Sequence, residues 1–276
     1  MDEARVEALL QRARGGRVLV LTGAGISAES GIPTFRGPEG YWRVGSVNYR
    51  PEELATAAAF ARMPEEVWAW YLHRRSVCRR AEPNAAHRAI AALERALKDA
   101  MALITQNVDG LHLRAGSSAE RTFQIHGNLD WMRCSVECGA PMRPIPEAVG
   151  LDWPRGRALD AETAALLRCS DCGARTRPHV LWFDECYDEP RFRLDSSLRV
   201  ASEAALLLVV GTTGQTTLPW RIGLLAARRG IGMIVVDPEP GAFTELAGCT
   251  PHGVWLRSRA CEGIPALCRR IEEVWN

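Results

Sequence analysis

The sequence predicts an α/β fold, a parallel sheet with a smaller module inserted, and three observations lead to it. Residues 17–37, RVLVLTGAGISAESGIPTFRG, run four apolar residues (Val18, Leu19, Val20, Leu21) straight into Gly23-Ala24-Gly25, then Ile26-Ser27-Ala28. A short buried strand followed by close glycines and a helical start is the pattern of a dinucleotide-binding βα turn. Three more short apolar runs, at 101–105, 205–210 and 231–236, read as further strands, and each ends in polar residues or glycine. Cys134-x3-Cys138 and Cys169-x2-Cys172 bracket a stretch rich in proline and charge. Four thiolates so spaced complete a tetrahedral zinc shell with no open position, which makes the expected role structural. Such a metal staples a module too weak to fold on its core alone.

Composition sets the limits. A chain of 276 residues suits one large α/β domain with a smaller insertion, and 47% hydrophobic with 24% charged residues is ordinary for a soluble globular protein. A net charge of +1 gives no electrostatic case for nucleic acid or membrane partners. No apolar run reaches spanning length, and MDEARVEALLQRARGG is charged, unlike a signal peptide. Nine cysteines, an odd count, argue against a secreted disulfide framework. The expectation is a cytoplasmic monomer.

Residues 2–14 carry Val6, Leu9 and Leu10 at helical spacing before the first strand. Gly23 would allow the tight turn, Gly25 would let backbone N–H groups approach a pyrophosphate, and Ala28 stands where a third glycine usually sits; glycines after a strand also serve as plain turns. Residues 37–45 read as a loop. Residues 51–62 and 64–80 read as two helices, each opened by proline, and 83–87, PNAAH, starts a third that runs to about Leu97. The strand at 101–105 empties into Gln106-Asn107-Val108-Asp109-Gly110, at the strand end where open α/β sheets bind ligands; the same residues could form a capped turn. Phe123-Gln124-Ile125 ends in His126-Gly127. The last stretch, residues 260–265, is expected to precede a terminal helix. A nicotinamide dehydrogenase should show an acidic residue about 20 positions after the glycines, and this chain has none there.

Taken together these motifs resemble the sirtuins, the NAD-dependent protein lysine deacylases, over roughly residues 15–272. GAGISAESGIPTFRG closely resembles the family signature, with Thr34 where most members carry Asp. PNAAH, TQNVDGLH, the HG pair, the four cysteines and RPHVLWF are similar to the family's motifs in the same order. The resemblance implies a Rossmann-like NAD-binding domain (1–37, 99–127 and 178–276). It also implies a small domain made of a helical insertion (38–98) and a zinc-binding module (128–177), with NAD in the cleft between the two domains.

The implied activity is removal of an acyl group from lysine, consuming NAD and releasing nicotinamide and O-acyl-ADP-ribose. ADP-ribosyl transfer and NAD hydrolysis are the alternatives on the same fold. His126 would be the base that deprotonates a ribose hydroxyl. Asp109 and the Val108 backbone would hold the carboxamide, and Asn107 and Gln106 would position ribose and a water. Gly23, Ala24, Gly25, Ser27, Ala28, Thr34, Phe35, Arg36, Gly211, Thr212, Thr213, Asp237 and Ala260 would complete the cofactor site. Val180, Trp182 and Phe183 would pair with the acyl-lysine peptide as an added strand. Tyr71 and Arg74 resemble the pair that holds an acyl carboxylate in members preferring acidic acyl groups. Asp184 replaces the usual glycine, a change expected to bear on which peptides are accepted, and Gln215-Thr216-Thr217 is more polar than the family pattern.

Overall fold

The computed structural model describes residues 2–33, 42–44 and 47–276. Eleven strands follow in chain order among the described residues: β1 (Arg17–Thr22), β2 (Trp42–Val44), β3 (Val47–Tyr49), β4 (Met101–Thr105), β5 (Thr122–Gln124), β6 (Gly127–Cys134), β7 (Arg143–Pro144), β8 (Thr176–Val180), β9 (Ala204–Val210), β10 (Gly232–Val236) and β11 (Gly253–Leu256). Six of them form one parallel sheet in the order β11-β10-β9-β1-β4-β5. The chain works outward from β1 to one edge through β4 and β5, then returns to β9 on the other side of β1. The order therefore reverses between β1 and β9, and open α/β sheets bind ligands at such a reversal, beyond the carboxyl ends of the strands.

Both faces of this sheet are covered, which explains runs of apolar residues without alternation. Val18 and Val20 face one core layer with Met101, Leu103, Leu206, Leu208 and Ile234. Leu19 and Leu21 face the other with Ile104, Leu207, Val209, Met233 and Val235. A third core lies away from the sheet. The helix Pro64–Arg80 buries Val67, Trp68, Trp70, Tyr71 and Leu72 against Leu129, Met132, Trp153, Val180 and Trp182. Asp130 of β6 ties down the same helix, accepting from Arg75 Nε at 3.0 Å and Arg79 Nε at 2.8 Å.

Three expectations need correcting. The first helix of the insertion is two pieces, Pro51–Leu54 and Ala57–Arg62, because Thr56 leaves helical geometry and caps the second piece through Ala59 N–H. The 37–45 loop contains β2, paired antiparallel with β3. Residues 260–265 do not precede the terminal helix but begin it, and Pro265 lies inside the helix Ala260–Trp275. Pro265 is the sixth residue of this helix, past the first N–H groups that lack a partner, so it forfeits one intrahelical bond, to the Cys261 carbonyl, while the buried face of Ile264, Leu267 and Ile271 holds the helix in place.

Candidate active site at the reversal of strand order

The turns after β1 and β9 meet backbone to backbone. Gly23 N–H donates to the Val210 carbonyl at 3.0 Å and Gly25 N–H to the Gly211 carbonyl at 2.8 Å. A Cβ on Gly25 would lie 2.6 Å from Gly211 Cα, and one on Gly23 would lie 2.6 Å from Thr212 Cβ. Glycine is therefore required at 23 and 25 for the approach of the two turns. Gly211 itself has φ of +58° and faces Gly25 just as closely.

Ser27, one turn further, is the hub of the polar cluster. Its hydroxyl donates to Asp109 Oδ2 at 2.7 Å and accepts from Asn107 Nδ2 at 3.0 Å. Asn107 also donates to the Gly23 carbonyl at 3.1 Å, and Asp109 Oδ1 accepts from Leu111 N–H at 2.8 Å. Asp109 is 6% exposed, and burial raises its pKa above the ordinary carboxylate value, opposed by the Leu111 amide and the Ser27 hydroxyl. Gln106 closes the β1–β4–β9 junction: its Nε2 donates to the Thr22 carbonyl at 3.2 Å and to Thr212 Oγ1 at 2.8 Å. Asn84 of PNAAH caps the helix Ala85–Leu97 and donates to the Ile26 carbonyl at 2.7 Å, so that motif braces the site from behind.

His126 follows β5, beside β4, where the carboxyl ends of these strands face the same crevice. Its Nε2 lies 2.7 Å from the Tyr187 hydroxyl. Burial pushes the imidazole down to about 4, with a hydrogen bond to the Gln106 backbone opposing it. The residue nevertheless keeps some exposure. Asp237, at the end of β10, is half-buried with its pKa raised by burial, and Oδ1 accepts from Glu239 N–H. Thr212 is buried while Thr213, Ala28 and Phe183 are exposed. Ala24 precedes the single helical turn, and Ala260 opens the terminal helix, whose Cys261 N–H donates to Glu29 at 2.9 Å. Thr34, Phe35 and Arg36 lie outside the described residues.

The expected peptide-binding stretch is largely committed to the protein itself. Val180 pairs with Gly127, Leu181 N–H donates to the His126 carbonyl, Trp182 N–H to Glu185, and Phe183 N–H to the Ala55 carbonyl. Trp182 is 2% exposed, so its side chain belongs to the core. Its Nε1 donates to the Tyr71 hydroxyl at 2.9 Å, and the Arg177 guanidinium stacks 3.2 Å from its ring centre. Arg74 sits with its guanidinium 5.2 Å from the Trp70 ring, close enough for its charge to act on Tyr71. Asp184 caps the helix Ala57–Arg62, accepting from Ala57 N–H at 2.7 Å and Ala58 N–H at 3.1 Å. The carboxylate in place of glycine thus joins this stretch to the helical insertion.

The four cysteines converge. All four Sγ atoms lie within 4.8 Å of one another, with Cys134–Cys172 at 3.6 Å and Cys138–Cys169 at 3.7 Å. Four sulfurs about 2.3 Å from a central zinc stand some 3.8 Å apart in a tetrahedron, so the cluster fits a structural zinc ion. Gly139 (φ +94°) and Gly173 (φ +72°) turn the two knuckles. Two site residues were not identified from sequence, Tyr187 and Thr216. Only the unexpected polarity of 215–217 hinted at the second.

Comparison with known proteins places this geometry. The family model described as "Sir2 family" matches residues 23–217. NAD-dependent protein deacylases of Thermus thermophilus (41% identity, 97% of this chain and 93% of the relative) and Leptospira interrogans (38%, 92% and 93%) are similar along almost their whole length. Among solved structures, a Sir2 homolog–NAD complex superposes with a TM-score of 0.79 at 35% identity, covering 100% of this chain and 96% of that one. A Sir2–p53 peptide–NAD complex gives 0.72 at 27%, covering 99% and 98%. The chain belongs to the Sir2 family.

Proposed function

We propose that this chain removes acyl groups from protein lysine side chains with consumption of NAD, releasing nicotinamide and O-acyl-ADP-ribose. The observation that carries the reading is the convergence of Ser27, Asn107, Asp109 and His126 on the crevice where the strand order reverses. The polar set suits NAD. Asp109 offers a buried carboxylate for the carboxamide N–H2, and Asp237 offers one for ribose hydroxyls. The relatives named as deacylases and the NAD-bound neighbour support the same assignment.

When bound, NAD supplies a ribose carbon that becomes electrophilic as nicotinamide leaves. The residues of this chain hold and time that event. The Val108 carbonyl already accepts from Leu129 N–H, so the carboxamide oxygen would meet the Val108 N–H and its nitrogen would meet Asp109. Asn107 and Gln106 fix ribose and a water. Gly23, Ala24, Gly25, Ala28, Thr212, Thr213 and Ala260 line the remainder of the cofactor site. His126, neutral at pH 7 because burial lowers its basicity, accepts the proton of a ribose hydroxyl. The exposed Phe183 and the backbone carbonyls beside Trp182 and Val180 receive the peptide.

The acyl pocket is assigned to acidic groups on Tyr71 and Arg74. The Tyr71 oxygen accepts from Trp182, so its proton is available to a ligand, and burial raises its pKa so that it stays a neutral donor. A carboxylate buried beside this hydroxyl and the Arg74 guanidinium exchanges its water for charge-assisted hydrogen bonds.

The test is turnover of one peptide carrying acetyl-, succinyl- or glutaryl-lysine, with and without NAD. Deacylation only with NAD, abolished in His126→Ala while NAD still binds, is the expected result. Near-wild-type turnover of that variant would remove His126 from the mechanism, and transfer of ADP-ribose to protein in place of deacylation would move the chain to the alternative reaction.

A further inference from the structure

Trp182 joins the stretch after β8 to the helix that carries Tyr71 and Arg74, through a hydrogen bond whose direction is fixed by chemistry. An indole N–H can only donate, so the Tyr71 oxygen, 2.9 Å from Trp182 Nε1, is the acceptor. A phenol has a single proton. With a pure donor on one side of its oxygen, that proton is turned away from Trp182. Both side chains are buried, so bulk water does not compete for either position. The indole is held from behind. Arg177 lays its guanidinium on the ring face, and its Nη2 donates to the Val180 carbonyl at 3.1 Å and to Glu185 Oε2 at 2.8 Å. The same Glu185 oxygen accepts the Trp182 backbone N–H at 3.0 Å. One carboxylate thus fixes both the backbone of Trp182 and the cation on its ring, while Phe60 packs 5.3 Å from the ring centre. On the helix, the Tyr71 ring meets the Trp70 ring edge-on at 4.6 Å, and the Arg74 guanidinium lies 5.2 Å from that same ring.

We propose that Trp182 is a specificity-determining positioning residue, whose indole N–H turns the Tyr71 hydroxyl so that its proton faces an acyl carboxylate. Arg177 and Glu185 hold the indole in that attitude. The inference rests on the assignment of the acyl pocket to Tyr71 and Arg74, and it adds what makes Tyr71 a directed donor. A hydroxyl free to turn must be ordered when the acyl group arrives, whereas this one is ordered beforehand. A donor on the phenol oxygen also polarises its O–H, which strengthens the bond that the O–H gives. A carboxylate, which only accepts, gains from both effects. An acetyl group ends in a methyl, which has no use for that proton, so the effect of Trp182 is confined to acyl groups with an acceptor at their end. Arg74 supplies charge and Tyr71 a directed hydrogen, and the two contributions separate by mutation.

The test is a double-mutant cycle on wild type, Trp182→Phe, Tyr71→Phe and the double variant. Its readout is the ratio of kcat/KM on succinyl-lysine to kcat/KM on acetyl-lysine in one peptide, in which damage common to both substrates cancels. Trp182→Phe keeps an aromatic face for Arg177 and removes the donor. If the smaller ring prevents folding, the benzothiophene analogue of tryptophan, inserted at 182 by stop-codon suppression, keeps the indole outline without the N–H. The ratio should fall about 2- to 12-fold in Trp182→Phe, the span of one neutral hydrogen bond, and no further in the double variant than in Tyr71→Phe alone. A residue that merely fills the core would not show that dependence on Tyr71. An unmoved ratio in Trp182→Phe, or the same fall with Tyr71 already replaced, overturns the proposal. Arg74→Met, measured alongside, tests the acidic-acyl reading itself. A ratio that Arg74→Met leaves unmoved refutes that reading and this proposal with it, whereas a ratio moved by Arg74→Met but not by Trp182→Phe refutes only the role of Trp182.

Discussion

Replacing Ser27 by alanine removes one oxygen and breaks three contacts in a buried part of the site, the longest of them to His87 Nε2 at 3.4 Å. Asp109 Oδ2 loses its donor at 2.7 Å, and Asn107 Nδ2 loses its acceptor at 3.0 Å. Ser27 is 1% exposed and Asp109 6%, so water cannot easily take over either bond. A hydrogen bond to a charged group contributes about 1.5–3 kcal/mol, so the carboxylate held for the nicotinamide carboxamide should weaken NAD binding by roughly 10- to 150-fold. The pH dependence has a definite sign. Burial already raises the Asp109 pKa, and the Ser27 hydroxyl is one of the groups that lowers it. Removing that donor raises the pKa further, so the ionised form is reached only at higher pH, and the acidic limb of kcat/KM for NAD should move upward. The assay is the initial rate of nicotinamide release against NAD concentration between pH 5.5 and about 9, with saturating acyl-peptide, a range chosen to straddle a raised carboxylate pKa. A variant with unchanged KM for NAD and an unmoved acidic limb would refute the assignment of Asp109 to the carboxamide.

Three further outcomes follow from the same geometry. Arg74→Met should cost at least 10-fold in kcat/KM on succinyl-lysine, the lower end for a lost charge-assisted bond, and leave acetyl-lysine level or improved; an equal loss on both substrates would make Arg74 structural. Cys172→Ser should abolish the stoichiometric zinc seen by elemental analysis and loosen the 128–177 segment to proteolysis, and zinc-free yet fully active wild-type protein would contradict it. Asp184→Gly removes the cap on the helix Ala57–Arg62, a loss of about 1–2 kcal/mol, which should lower the thermal midpoint by a few degrees; an unchanged midpoint would show that the two amide contacts contribute nothing.

The parts of this molecule that were readable in advance are those written in local pattern. Leu19 and Val20 lie in a run that is apolar because both faces of the sheet are covered, and the four cysteines announce themselves by spacing alone. The glycines at 23 and 25 were readable as a turn, but their reason is not local, since it is Gly211 that they must approach. The break at Thr56 was hidden because a capping threonine inside an alanine-rich stretch looks like helix until Asp184, 127 positions beyond Ala57, supplies the second cap. Pro265 misled for the opposite reason, being a strong local breaker overruled by the buried face of Ile264, Leu267 and Ile271 around it. Tyr187 and Thr216 carry no periodicity and no motif. Tyr187 meets His126 only through the loop after β8, and Thr216 meets Gln106 only through the turn after β9.

The central claim is that acyl transfer to ADP-ribose and nicotinamide release are one coupled reaction in this crevice. The direct measurement is the stoichiometry of products by mass spectrometry after limited turnover on an acyl-lysine peptide. Equal amounts of nicotinamide, deacylated peptide and O-acyl-ADP-ribose are the result expected here. Nicotinamide released with free ADP-ribose and intact acyl-peptide, or with ADP-ribose attached to protein, would contradict it.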